Sequence, residues 1–274
     1  MSSPEPRFPV RRIVIALESI CENLKALEVA AEMAARIKAE LHGIFIEDVN
    51  LVSAAHLPFV RQVSLHSAAT RSFEPGDIEA EFRAMASRAR GCLEDFASRM
   101  KVPWSFRIHR GDRLSLVSGT ERSDLLVLET ATKPFARYMK LPTDWSEISL
   151  HSKRACLLLS ASTSRRKGTL VVYDGSEAGE RAMAAAIALD GTSGALMIVV
   201  PATASEGDAQ KKLRVAGMEA DLYSIEKLNS AELLRVIAQA NCDLAILPAS
   251  LAIEHRSVLQ ELLVTPPCAL LLVQ

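Results

Sequence analysis

Two stretches far apart in the chain are built to one plan. "RRIVIALESICENLKALEVAAEMAARI" (11–37) and "GTLVVYDGSEAGERAMAAAIAL" (168–189) each give an apolar run, an acidic residue at its end (Glu18, Asp174), a serine close behind (Ser19, Ser176) and an alanine-rich helical stretch. Two further pairs follow in the same order: "SDLLVLET" (123–130) with "CDLAILPA" (242–249), and "ACLLLS" (155–160) with "CALLLVQ" (268–274). Matched landmarks in one order mark an internal repeat, and each copy must then solve the same packing problem. The apolar runs are continuous rather than alternating, as in parallel strands covered on both faces. Strands alternating with helices predict β-α-β-α-β-α-β-α-β in each copy, a doubly wound parallel sheet.

The spacing between matching landmarks shrinks along the chain, so the second copy is trimmed, mostly between its second and third strands. There the first copy carries the stretch 50–75, "NLVSAAHLPFVRQVSLHSAATRSFEP", and then a strong helix; the second has only "ATASEGDAQKKLRVAG". The helix after Gly76 sets Ile78, Phe82, Met85, Ala89, Leu93, Phe96 and Met100 at steps of three and four, a packing stripe. The stretch 50–75 shows little regularity and many exposed-type apolar residues, which predicts a functional surface, either a lid or a docking segment. "SASTSRRKG" (160–168) is the natural linker, its Arg165-Arg166-Lys167 read as solvated. The expected domains are 1–160 and 161–274.

Composition narrows the function. The 274 residues are 49% hydrophobic, enough for two ordinary cores. With 32 basic and 33 acidic residues the chain shows no electrostatic footprint for nucleic acid or an anionic membrane. No apolar run approaches the ~18 residues of a membrane span, and the polar "MSSPEPRFPVRR" start does not read as a signal peptide, which together predict a cytoplasmic protein. The five cysteines (Cys21, Cys92, Cys156, Cys242, Cys268) form no C-x-x-C pair and read as reduced, mostly buried thiols. The histidines lack metal-like spacing; the nearest pair, His56 and His66, reads as loop. No metal is expected.

"VVYDGSEAGERAMAAAIAL" resembles the opening of a universal stress protein domain, and "CDLAILPAS" and "PPCALLLVQ" resemble that family's fourth and fifth strands. The first copy matches more loosely, through "IVIALES", "HRGDRLSLV", "SDLLVLE" and "ACLLLS". The resemblance implies two five-stranded parallel sheets of the adenine nucleotide alpha hydrolase-like type, each with strand order 3-2-1-4-5. A ligand would lie beyond the carboxyl ends of strands 1 and 4, where the order reverses. In nucleotide-binding members the aspartate after strand 1 contacts adenosine, and a glycine-rich loop after strand 4 wraps the phosphates with backbone N–H groups.

That loop is missing from both copies: no glycine follows strand 4 in either, and the last glycine of the chain is Gly217. Two readings of Asp174, Gly175 and Ser176 stand. They are the remnant of an adenine-nucleotide site, with ATP or a related nucleotide as cofactor, or they turn the chain and cap the next helix. The capping reading is preferred, and no cofactor is expected. In the first copy Glu18, Ser19, Glu129 and Thr130 form a candidate crevice. Two carboxylates facing the phosphate position would repel an anion; they could serve acid–base work or hold a cation, but no third ligand or nucleophile accompanies them. Lys133, Arg137 and Lys140 in "KPFARYMK" read as basic edges of a helix or loop. With no catalytic motif in the chain, the expected function is a non-catalytic stress-response or signalling protein that associates with a protein partner of unknown identity. The alternatives are an adenine-nucleotide sensor using the second copy and a small-molecule enzyme on the same scaffold.

In the family resemblance, fifth strands lie at the sheet edge and pair domains. Here both are almost wholly apolar, and an unpaired apolar edge invites aggregation. Antiparallel pairing of 155–160 with 268–274 is therefore expected, joining the halves as an intramolecular pseudo-dimer and leaving a further homodimer open.

Overall fold

The computed structural model describes residues 8–17, 24–55, 57, 61–63, 70–72, 75–111, 115, 120–121, 124–130, 154–160, 168–190, 195–226, 229–240, 242–254 and 268–274. The first half runs β1 (Arg12–Leu17), α1 (Leu24–Ile37), β2 (Glu40–Glu47), α2 (Val49–Ala55), β3 (Arg61–Val63), β4 (Thr70–Ser72), α3 (Pro75–Met100), β5 (Trp104–Arg110), β6 (Asp124–Thr130) and β7 (Ala155–Ser160). The second runs β8 (Thr169–Val172), α4 (Glu177–Asp190), β9 (Leu196–Pro201), α5 (Glu206–Ala216), β10 (Asp221–Ile225), α6 (Ser230–Ala240), β11 (Leu244–Pro248), α7 (Ala249–Glu254) and β12 (Ala269–Val273).

Ten strands form one sheet in the order β10-β9-β8-β11-β12-β7-β6-β1-β2-β5, and β3-β4 form a separate hairpin. Numbering the sheet strands within each half gives 3-2-1-4-5 on both sides, as the resemblance implies. Each ladder in the large sheet is parallel except one: β12 meets β7 antiparallel, with Leu270 opposite Leu158, Leu271 opposite Leu157 and Leu272 opposite Cys156. The expected pairing of the apolar fifth strands is present, and both are buried.

Alternation along the strands divides the core in two. Ile13, Ile15, Leu41, Phe45, Leu125, Val127, Leu157, Val171, Ile198 and Ile246 share a core with apolar residues of α1, α3 and α4. Val14, Ile44, Leu126, Leu158, Leu170, Val199, Ala245 and Leu270 share the other with Leu233, Val236 and Ile237 of α6. Covering both faces is what continuous apolar strands require. Buried alanines in α1 (Ala26, Ala30, Ala31, Ala34) and α4 (Ala182, Ala185, Ala186) keep these helices slim, and the two touch across the junction of the halves. Arg36 Nη1 donates to the Leu189 carbonyl at 3.0 Å there. Close packing also explains Gly43 in β2, where a Cβ would stand 2.7 Å from Leu93 of α3.

The expected stripe holds: Ile78, Phe82, Ala89 and Leu93 of α3 are buried, and Met85, Phe96 and Met100 pack against the same core. Its counterpart α5 has 11 residues against 26, which is where the second half is trimmed. The stretch 50–75 departs from expectation by carrying regular structure. Asp48 starts α2, accepting the Asn50 N–H on Oδ1 (2.8 Å) and the Val52 N–H on its carbonyl (3.2 Å), and β3-β4 follow. One capping residue ahead of a two-turn helix makes too short a periodic signal to read from sequence. Among the described residues no helix is long and apolar enough to cross a membrane.

Candidate functional site

In a doubly wound sheet the ligand crevice opens where strand order reverses, beyond the carboxyl ends of strands 1 and 4. In the second half those strands are β8 and β11, paired in parallel from Thr169–Leu244 to Val171–Ile246. Tyr173, Asp174, Gly175 and Ser176 lie just past β8, with Asp174 half-buried. Gly175 turns the chain at φ 77°, a left-handed conformation that favours glycine.

The Asp174 carboxylate is drawn into this turn. Its Oδ1 accepts from the Ser176 N–H (2.9 Å) and from the Ser176 hydroxyl (2.7 Å). The Ser176 Oγ accepts in turn from the Gly179 N–H at 3.0 Å, the reach of an N-cap to the third residue of the helix it starts. Gly179 completes the fit: a Cβ there would lie 2.2 Å from Asp174 Oδ1 and 3.2 Å from the Asp174 nitrogen. Asp174 therefore lies on the first turn of α4, where its charge also suits the positive helix end.

A second polar group stands beside the turn. The buried Tyr173 donates its hydroxyl to Glu180 Oε1 at 2.8 Å, and Lys212 of α5 meets Glu180 Oε2 at 2.5 Å. Lys212 Nζ also lies 6.0 Å from the Tyr173 ring centre. Burial first, then the Glu180 hydrogen bond and nearby carboxylates, hold the Tyr173 phenol well above its ordinary range. The phenol thus stays protonated and works as a fixed donor. Neither Gly179 nor the Tyr173–Glu180–Lys212 set was singled out from sequence. The Ser176-x-x-Gly179 spacing could have shown the first; nothing short of the fold brings Lys212 to Glu180.

Beyond β11 the backbone enters α7 directly at Ala249. Ser250, in its first turn, has a buried hydroxyl without a hydrogen-bond partner among the described residues. No cluster of three or more His, Cys, Asp or Glu suited to a metal occurs among the described residues.

In the first half Glu129 and Thr130 close β6, in register with Leu159 and Ser160 of β7. Glu18 and Ser19 lie outside the described residues, as do Lys133, Arg137, Lys140, His56, His66 and Cys21, so the expected facing of Glu18 and Glu129 does too. The described cysteines are not joined in disulfides: Cys156, Cys242 and Cys268 are buried, and Cys92 is half-buried. Cys242 and Cys268 stand 3.9 Å apart between their sulfurs at the starts of β11 and β12.

No protein-family model matches the chain, and no curated protein matches it significantly. Solved structures do. A universal stress protein from Archaeoglobus fulgidus superposes with a TM-score of 0.70 at 14% identity, covering 98% of this chain and 97% of that one. The fold is that of the universal stress proteins. A universal stress protein candidate from Pseudomonas aeruginosa follows at 0.56 and 12%, covering 97% of this chain and 94% of that one. The cytoplasmic domain of a prokaryotic cation chloride cotransporter reaches 0.54 at 11%, covering 96% and 95%. At such identities the likeness establishes the universal stress protein fold and leaves function to the site.

Proposed function

We propose that this chain is a universal stress protein-like protein of stress response or signalling that acts by associating with another protein, is not an enzyme, and binds ATP weakly or not at all. The observation that carries this reading is the state of the second-half crevice. Asp174 Oδ1 is held by the turn it belongs to, the chain passes from β11 directly into α7 at Ala249, and its sequence from there on has no glycine for a phosphate-wrapping loop. A crevice so furnished lacks the glycine-rich loop whose backbone N–H groups would wrap a triphosphate. In this reading residues 1–160 and 161–274 are two domains of a tandem pair. The trimmed second one completes the first as the partner subunit of a dimer would. The protein is cytoplasmic, touches neither nucleic acid nor membrane, and its occupant is a protein. The use of this fold as the cytoplasmic domain of a cotransporter is consistent with a role inside a larger assembly.

The second reading, an adenine-nucleotide sensor using the second domain, is favoured by one observation: Asp174 stands beyond the carboxyl end of β8, at the point of strand-order reversal. Titration calorimetry with Mg-ATP separates the two. Negligible heat of binding is the expected result. Low-micromolar affinity that disappears in Asp174→Ala would replace the first reading with the second. Native mass spectrometry of the protein from its own host should show a second polypeptide, whereas a chain carrying stoichiometric nucleotide would count against association as the function.

A further inference from the structure

The segment that distinguishes the first half from the second also builds a pocket. After β9 the chain passes from Ala202 to Ser205 straight into α5, but after β2 it forms α2 before reaching α3. Between α2, α3 and the carboxyl ends of β2 and β5 lies a pocket of about 290 Å3. This size sits at the lower end of the range for small-molecule sites. The pocket lies at the ligand-binding end of the sheet, on the strands outside the point of reversal.

Its lining has an apolar part and a charged part. Val49, Val52 and Phe82 form the first. Phe82 is fixed edge-to-face on Phe45 of the core, with ring centres 6.3 Å apart and planes at 72°. The charged part is Glu47, Glu79, Arg83 and Arg110, and the polar Ser53 completes the lining. Glu47 is buried and accepts from Arg110 Nε at 2.7 Å across the β2–β5 ladder. That bond leaves the terminal nitrogens of Arg110 as donors, on a side chain that is 80% exposed. Glu79 and Arg83 stand one turn apart on α3, both exposed, and neither pairs with another described side chain.

Two carboxylates and two guanidiniums make a neutral lining with separated charges. A phosphate dianion would meet Glu47 and Glu79, and a hydrocarbon would leave the guanidiniums unused. A small zwitterion with an apolar side chain meets the charges of both signs and the apolar wall. We propose that this pocket binds an aliphatic α-amino acid. Its carboxylate bridges Arg83 and the free nitrogens of Arg110, its ammonium faces Glu79, and its side chain lies on Val49, Val52 and Phe82. Planar guanidinium forks suit the carboxylate, and the cost of desolvating either ligand charge is met only by the opposite charge in the pocket. Glu47 positions Arg110 and does not touch the ligand. The site owes nothing to the crevice beside β8, so its fate is independent of the reading above.

The test uses the full-length chain titrated with L-leucine, with isocaproate (leucine without its ammonium) and with isoamylamine (leucine without its carboxylate), followed by calorimetry. Leucine should saturate one site, with each analogue weaker by about tenfold or more, since each abandons a charge-assisted bond. Arg83→Gln should lower leucine binding to the level of isoamylamine, and Glu79→Gln to that of isocaproate. Both positions are exposed, so circular dichroism should show an unchanged fold. Asp174→Ala should leave leucine binding intact. Absence of saturation with leucine would overturn the site. Equal affinity for leucine and isocaproate, or leucine binding indifferent to Arg83→Gln, would overturn the zwitterion assignment.

Discussion

Gly179 shows how one absent side chain decides a local structure. Its Cβ position is occupied by the Asp174 carboxylate, which in turn orients the Ser176 cap. Gly179→Ala should therefore destabilise the protein by about 1–3 kcal/mol, the usual cost of overpacking, although alanine is the better helix former. In an Asp174→Ala background the same substitution should cost much less. Denaturant titration of the double-mutant cycle measures that difference, and strictly additive effects would show that the contact does not hold the turn. Ser176→Ala should cost about 1 kcal/mol as a lost N-cap. A second residue-scale case lies at the amino ends of the strands. His42 Nδ1 stands 2.7 Å from Ser105 Oγ, which donates to Glu40, and Arg12 meets Asp124 with two bonds of 2.9 Å. With the serine proton on Glu40, His42 donates through Nδ1. Burial first, then the charges of Arg107 and Arg12, hold the His42 imidazole below its ordinary range, against the opposing pull of Glu40 and Asp124. The unfolded chain binds this proton more readily, so stability is full above about pH 6.5 and falls as pH drops from there through the lowered value. His42 is half-exposed, so solvent screening keeps that loss small. His42→Asn should flatten this limb of the pH profile; an unchanged profile would assign the limb to other groups.

At the scale of elements, what sequence could show depended on how much of each element is buried. β7, β11 and β12 are buried along nearly their whole length, so no polar position interrupts the run and the strand is plain. The edge strand β5 is the contrary case. Trp104, Phe106 and Ile108 alternate there with Ser105, Arg107 and His109, the period-two signature of a strand covered on one face rather than a continuous apolar run. Ile108 is 48% exposed there, while the neighbouring arginines blunt the edge against pairing with another chain. The helix α2 and the hairpin β3-β4 escaped notice because they are short and hold their shape partly through local bonds such as those of Asp48. The turn at Asp174 was legible from residue types alone, since Asp, Gly and Ser each suit a turn for a separate reason. The pocket between α2 and α3 was not, since Glu47, Glu79 and Arg110 are distant in sequence and meet only when β5 pairs with β2. Substituting Asp48→Ala should loosen α2 by about 1 kcal/mol and weaken leucine binding without disturbing the large sheet. Faster amide exchange confined to Val49–Ala55 would report it.

On the scale of the molecule, the junction of β7 and β12 decides whether the two halves are separable. The sheet does not stop between them: Leu157, Leu158, Leu270 and Leu271 are buried on its two faces at the junction, and α1 meets α4 above one of them. Exposing several such leucines would cost roughly 1.5–3 kcal/mol each, comparable in sum with the whole stability of an ordinary domain. Separate unfolding of either half would strip the other of that cover, so one cooperative transition is expected. The chain supplies a convenient reporter, because its two tryptophans, Trp104 and Trp145, both belong to the first half. Leu271 lies in the second, opposite Leu157. In Leu271→Asp a carboxylate would be buried without a partner, a change costing several kcal/mol. The tryptophan fluorescence transition should then shift to markedly lower denaturant, together with the circular dichroism of the whole chain. A fluorescence transition that stays in place while half of the dichroism is lost would mean that the halves fold independently and that the junction only tethers them.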